Sequence, residues 1–169
     1  FSSAIKYLNR TVSDSGGTFI AFTLFNHATF VFIPGVSMKR ILLADDEESL
    51  LLAYQKLLHA PGVTIDSIQS MADAQKMLEE NFYDAVIVDL RLTGTMEMDG
   101  IQIISGTKKR YPQSKIIALS AYCDNQIKQK VIKAGASYLF EKPVSVLLIK
   151  ELLEKLGIYS EIPQLSTGN

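Results

Sequence analysis

The sequence predicts an α/β fold: a parallel sheet of five strands covered by helices on both faces. Two observations carry that reading. Over residues 38–157, apolar β-rich runs alternate with stripes at helical spacing, five of each. The runs Val86-Ile87-Val88 and Ile116-Ile117-Ala118-Leu119 are apolar without interruption. Such runs suit strands buried on both sides, which is the condition of a parallel sheet.

The elements follow in order. Strand runs fall at 40–44, 63–68, 83–90, 115–119 and 137–140. Between the first two, Leu50, Ala53, Tyr54, Leu57 and Leu58 fall on one helical face. Ala74, Met77 and Leu78 form the next stripe, after Ser70 with Asp73 three residues on, a capping-box pattern. Ile101 and Ile104 follow Asp99-Gly100. Ile127, Val131 and Ala134 form a fourth stripe, which Gly135 stops as a C-cap. Leu148, Leu152 and Leu156 form a fifth, stopped by Gly157.

Composition narrows the function classes. Seventeen basic residues against eighteen acidic ones give a formal charge of -1, so there is no basic excess for sequence-independent nucleic-acid binding. An apolar share of 47% supports a core. One cysteine, Cys123, rules out a disulfide framework and a Cys-rich zinc site, and it reads as an ordinary thiol. His27 and His59 are too few for a multi-His metal centre. The expected setting is the reducing cytoplasm. Composition also divides the chain. Residues 1–37 hold six of the eight phenylalanines and only Lys6, Arg10 and Asp14 as charges. Pro34-Gly35-Val36-Ser37 punctuates the boundary. The expected division is 1–37, a domain at 38–157, and a tail at 158–169.

In open α/β sheets, ligands bind beyond the carboxyl ends of the strands. Asp45 and Asp46 follow the first strand, Asp89 ends the third, Ser120 ends the fourth, and Glu141-Lys142-Pro143 ends the fifth. Singly, each has a plain alternative: a strand-end Asp caps a helix, and a lysine beside proline lies in solvent. Jointly they place three carboxylates, a hydroxyl and a lysine at one edge. Clustered carboxylates repel unless a cation joins them, and hard oxygen ligands favour Mg²⁺. Asp89 could then attack phosphorus as a carboxylate nucleophile. Lys142 offers a point charge to a phosphoryl oxygen, and the Ser120 hydroxyl can donate to another.

This constellation resembles the receiver domain of bacterial two-component response regulators. The matching stretches are Lys39-Arg40-Ile41-Leu42-Leu43-Ala44-Asp45-Asp46-Glu47, Asp84-Ala85-Val86-Ile87-Val88-Asp89, Ala118-Leu119-Ser120-Ala121, Gly135-Ala136 and Glu141-Lys142-Pro143, with a Ser120-to-Lys142 spacing of 22. The resemblance implies the flavodoxin-like, doubly wound strand order 2-1-3-4-5. It implies Asp89 as phosphoacceptor. Asp46, Asp89 and the backbone carbonyl of Arg91 would be direct magnesium ligands, with Asp45 acting through water. Lys142 would hold the phosphoryl group and Ser120 would be the switch hydroxyl. The partner would be a histidine kinase or histidine phosphotransfer protein. The responding surface would be the fourth helix, last strand and fifth helix, at about 124–155, which also allows a weak homodimer.

Three departures stand out. Thr93 occupies a position, four residues after the acceptor, where the family usually has proline, and the loop 93–98 is longer than in the shortest members. At the aromatic switch position, three residues before Lys142, stands Leu139, while Tyr138 lies one earlier and should face the other side of the sheet.

In residues 1–37, Ile5, Leu8 and Val12 lie at helical spacing over 2–13, and 18–25 and 28–33 read as strands around an Asn26-His27 turn. A spanning helix over 18–36 is disfavoured by its β-formers and by Asn26-His27 at mid-span. Helix, Gly16-Gly17-Thr18, strand, turn and Ala28-Thr29-Phe30-Val31-Phe32-Ile33-Pro34 resemble the end of a sensor histidine kinase ATPase domain, without its ATP-binding motifs. That resemblance, and a first residue of Phe1 rather than Met, imply the C-terminal receiver of a hybrid histidine kinase. Met38 instead suits a stand-alone response regulator behind an arbitrary apolar leader. With only 158–169 after the last helix, no DNA-binding output is expected from this chain. Two rivals remain. An Asp-nucleophile phosphatase would carry an acid two residues after the nucleophile, where this chain has Arg91. A pseudo-receiver would lack one of the site residues.

Overall fold

A computed structural model describes residues 38–92 and 99–159, together with the backbone of three strands nearer the start. Those strands are β1 (Thr11–Asp14), β2 (Gly17–Leu24) and β3 (His27–Ile33), paired antiparallel in the order β1-β2-β3. The expected hairpin is present, but its last pair is Leu24 with His27. His27 is therefore a strand residue and not part of the turn. The expected helix over 2–13 is overturned at its end, where Thr11–Asp14 pairs with β2. Thr11 and Val12 are β-branched and fit a pleated strand better than a helix interior. Residues 2–10 of that helix, and the loop 93–98, lie outside the described residues.

Lys39–Tyr159 form a separate compact unit. Its strands are β4 (Lys39–Ala44), β5 (Val63–Ile68), β6 (Ala85–Asp89), β7 (Lys115–Ser120) and β8 (Tyr138–Glu141). Its helices are α1 (Glu48–Leu58), α2 (Met71–Glu80), α3 (Asp99–Arg110), α4 (Asn125–Ala134) and α5 (Val146–Lys155). All strand pairs are parallel, in the order β5-β4-β6-β7-β8. This is the 2-1-3-4-5 order the resemblance implies.

Strand alternation splits the core into two layers. Leu42, Ala44, Val86, Val88, Ile116 and Ala118 face α2, α3 and α4. Ile41, Leu43, Ala85, Ile87, Ile117 and Leu119 face α1 and α5. Successive residues of the central strands are thus buried on opposite faces, which is why their sequence shows no polar alternation. The capping box forms as read: the Asp73 amide donates to Ser70 Oγ at 3.1 Å, and that hydroxyl donates to Asp73 Oδ2 at 2.6 Å. Gly135 closes α4 at φ 104°, in the left-handed region.

Two helical stripes differ from expectation. On α1 the buried residues are Leu51, Tyr54 and Leu58, and Leu57 is half-exposed. On α5 they are Ile149 and Leu153, while Leu148 is exposed. Both helices carry apolar residues side by side (Leu50-Leu51-Leu52, and Val146 to Ile149), so periodicity alone permits two neighbouring stripes. Ile158, expected in the tail, is buried against the α1 and α5 layer, and the Tyr159 hydroxyl donates to the Leu58 carbonyl at 2.9 Å.

A polar network fastens the edge of the sheet where the strands begin. Arg40 pairs with Asp66 at 2.6 Å, bonds Asn81, and stacks on buried Tyr83, whose hydroxyl also donates to Asp66. Lys39 pairs with Asp84 at 2.8 Å. The opposite edge carries Asp45, Asp46, Asp89, Ser120 and Lys142. No helix among the described residues is long and apolar enough to cross a membrane.

Candidate functional site

Register brings the strand ends level. Ala44 pairs with Val88, Asp89 with Leu119, and Ser120 with Glu141. The residues just beyond therefore converge at one edge. The Asp45 amide donates to the Ile68 carbonyl at 3.2 Å, and the Lys142 amide donates to the Ser120 carbonyl at 2.7 Å. The ladder thus extends one residue past β4 and β8 and fixes the start of both side chains. Gly100 keeps α3 close behind: a Cβ there would lie 2.3 Å from the Asp89 carbonyl oxygen.

Lys142 is the hub. Its Nζ donates to Asp45 Oδ2 at 2.8 Å and to Asp89 Oδ2 at 2.6 Å. Asp45 and Asp89 are 5% and 8% exposed, whereas Asp46 is open to solvent. Carboxylate oxygens of Asp45, Asp46 and Asp89 all lie within 4.8 Å of one another. Asp45 Oδ1 also accepts from the Glu47 amide at 3.0 Å, and Asp89 Oδ1 from the Arg91 amide at 3.2 Å.

The electrostatics follow from burial and pairing. Burial pushes the Asp45 carboxyl above its ordinary value, against the pull of Lys142 and the Glu47 amide. Burial also works against the Lys142 ammonium, but its bonds to Asp45 and Asp89 carry it above the ordinary lysine value. The ammonium is held charged between two oxygens. The arrangement fits a second, divalent cation. The donors are hard carboxylate oxygens, and one ligand, Asp46, faces solvent where Mg²⁺ would keep its waters.

The site residues expected from sequence are placed as follows. Asp45, Asp46, Asp89 and Lys142 come together. The Arg91 carbonyl lies on the turn that leaves β6 beside Asp89. Ser120 is buried at the same edge, but its hydroxyl turns to the following loop. It donates to the Tyr122 carbonyl at 2.6 Å and accepts from the Tyr122 amide at 3.2 Å. Leu139 packs on the layer facing α4 and Phe140 on the opposite one. Tyr138, on the Phe140 side by alternation, is 38% exposed. Two further contacts at this edge have no counterpart among the sequence expectations. The Arg91 guanidinium stacks over Tyr122, 5.4 Å from the ring centroid. The Asp124 carboxylate caps α4 at the Ile127 amide, at 2.8 Å. An Asp three residues before an apolar helical residue was the available signal for the cap.

The family model of the response regulator receiver domain matches residues 41–155. The chain belongs to the response regulator receiver domain family. A putative response regulator NtrX-like from Rickettsia bellii is 33% identical over 123 residues, covering 70% of this chain and 26% of that protein. Hybrid signal transduction histidine kinase L from Dictyostelium discoideum is 28% identical over 132 residues, covering 73% of this chain and 8% of that protein. The chain thus spans about a quarter or less of these relatives' own length. A solved CheY-like receiver domain protein from Methanospirillum hungatei superposes with a TM-score of 0.63 at 25% identity, covering 71% of this chain and 94% of that one. In this receiver domain, Asp45, Asp46 and Asp89 cluster around Lys142.

Proposed function

We propose that this receiver domain takes a phosphoryl group from a phosphohistidine donor onto Asp89. One observation carries the reading: Lys142 Nζ bridges Asp45 and Asp89 beside Asp46, at the carboxyl edge of a parallel sheet. Asp89 presents a carboxylate oxygen as nucleophile. A P–O bond forms to it as the P–N bond to the donor imidazole breaks, the electron pair returning to the ring. Lys142 then serves an oxygen of the phosphoryl group from nearly the position where it now holds Asp89 Oδ2. Ser120 has to give up its bond to the Tyr122 carbonyl to donate to a second oxygen. Magnesium held by Asp46, Asp89 and the Arg91 carbonyl, with Asp45 through water, would neutralise charge on the transferring group.

The further placement is a proposal of the same kind. Residues 38–157 act as the receiver, and 1–37 as the closing hairpin of a kinase ATPase-like domain. The antiparallel β2–β3 pair fits such a hairpin, and a hybrid kinase is among the relatives, as are response regulators; a stand-alone regulator is the alternative reading. The receiver's partner is then a histidine kinase or a histidine phosphotransfer protein.

Incubation with acetyl phosphate and Mg²⁺, followed by intact-mass measurement, tests the assignment. The expected result is a gain of one phosphoryl group, lost with Asp89→Asn and with metal chelation. No gain, or a gain that survives Asp89→Asn, overturns it.

A further inference from the structure

We propose that Tyr122 is the side chain through which phosphorylation of Asp89 reaches the surface, released from its stack on Arg91 as Ser120 turns to the phosphoryl group. This rests on the proposed role of Asp89. The contacts form a chain that runs from Asp89 to Ser120 beside the site. The Arg91 amide donates to Asp89 Oδ1, the Arg91 guanidinium covers the Tyr122 ring, and the Tyr122 backbone is bonded through both its amide and its carbonyl to the Ser120 hydroxyl.

Both clamps on Tyr122 have the same competitor. A serine hydroxyl has one proton, so donating to a phosphoryl oxygen breaks its 2.6 Å bond to the Tyr122 carbonyl. The guanidinium stands over a neutral ring, and a charge-assisted bond to a phosphoryl oxygen is stronger than that stack at an exposed site. Added phosphoryl charge two residues from Arg91 therefore draws away both groups that hold Tyr122.

The residue is placed to transmit the change. Tyr122 is 60% exposed, and only Cys123 separates it from Asp124, which caps α4 at Ile127. A shift in the Tyr122 backbone passes directly to that cap. The last strand offers no comparable route. Leu139 carries no aromatic ring or polar group and packs on the α4-facing layer. Tyr138 lies on the other side of the strand.

The chain contains no tryptophan, so Tyr122→Trp and Tyr138→Trp each introduce a sole indole. Each full chain is treated with acetyl phosphate and Mg²⁺. Intact mass and acrylamide quenching are read on the same sample. The expected result is a rise of about twofold in the quenching constant of the Tyr122→Trp chain, in proportion to phosphoryl occupancy, with the Tyr138→Trp chain unchanged. Adding Arg91→Ala should leave the 122 indole equally quenchable before and after phosphorylation. Ring signals of labelled tyrosine in the unsubstituted chain, assigned with Tyr122→Phe, give a second readout in which the Tyr122 signal shifts on phosphorylation. Phosphoryl gain with both readouts silent at position 122, or a response unaffected by Arg91→Ala, overturns the proposal. Absence of any phosphoryl gain overturns the role of Asp89 itself, and this switch with it.

Discussion

Lys142 Nζ lies 2.6 Å from Asp89 Oδ2, and the same nitrogen is 2.8 Å from Asp45. One ammonium thus bonds two buried carboxylates and offsets only part of their charge, and their neighbour, Asp46, is also acidic. Lys142→Met removes that charge and leaves three carboxylates facing one another. The Lys142 side chain is 25% exposed, so the cost falls below that of breaking a fully buried pair, at roughly 1–3 kcal/mol. Urea unfolding without metal should show a lower midpoint, and saturating Mg²⁺ should recover most of the loss. An unchanged midpoint would show that the pair contributes nothing.

The pH dependence of that contribution has a definite sign. The folded pKa of Lys142 is raised, through its bonds to Asp45 and Asp89. Its stabilisation is therefore fully present below the ordinary lysine value of 10.5 and is lost as pH rises through the folded value. Unfolding free energies measured across the alkaline range should fall more for the unsubstituted chain than for Lys142→Met. Parallel curves would contradict the assignment.

Asp45 behaves in the opposite sense. Burial raises its folded pKa, so the ionised carboxylate costs stability at neutral pH. Asp45→Asn should melt higher than the unsubstituted chain in chelator. The gap should narrow as pH falls through the raised Asp45 value, because the unsubstituted chain then carries a neutral carboxyl as well. Added Mg²⁺ should stabilise the unsubstituted chain by about 2.7 kcal/mol at a hundredfold excess over its dissociation constant. It should stabilise Asp45→Asn markedly less at the same concentration. Calorimetric scans at several pH values, with and without Mg²⁺, check both parts.

The legible part of the molecule was the part governed by short-range rules. Uninterrupted apolar runs marked β6 and β7 because both faces of those strands are buried. Ser70 with Asp73, and Gly135, marked helix ends because caps satisfy backbone groups locally. Asp45, Asp46, Asp89 and Lys142 could be gathered because parallel strands put all their carboxyl ends at one edge. What failed depended on neighbours distant in sequence. The buried stripe of α5 is chosen by the sheet face it meets, and the sequence allowed Leu148 as readily as Ile149. Thr11–Asp14 became a strand because β2 was there to pair with it. The Arg91–Tyr122 stack joins two loops, and no periodicity connects them.

Two glycines in α3 make opposite predictions. At Gly100 a Cβ would meet the Asp89 carbonyl oxygen at 2.3 Å and Leu90 Cα at 2.7 Å. These are backbone atoms and cannot rotate away. Gly100→Ala must push α3 off the end of β6, at a cost of about 1–3 kcal/mol, the range for overpacking. Because the displaced atoms belong to Asp89 and Leu90, phosphoryl uptake should slow along with the loss of stability. Gly106 lies in the same helix, exposed, with nothing within 4 Å of an added Cβ. Gly106→Ala removes only the entropic penalty of glycine in a helix and should stabilise by roughly 0.5–1 kcal/mol, with uptake unchanged. Urea midpoints and uptake rates for the two variants test the packing of α3 against the phosphoacceptor strand. If Gly100→Ala matches Gly106→Ala in both, that close approach does not exist in solution.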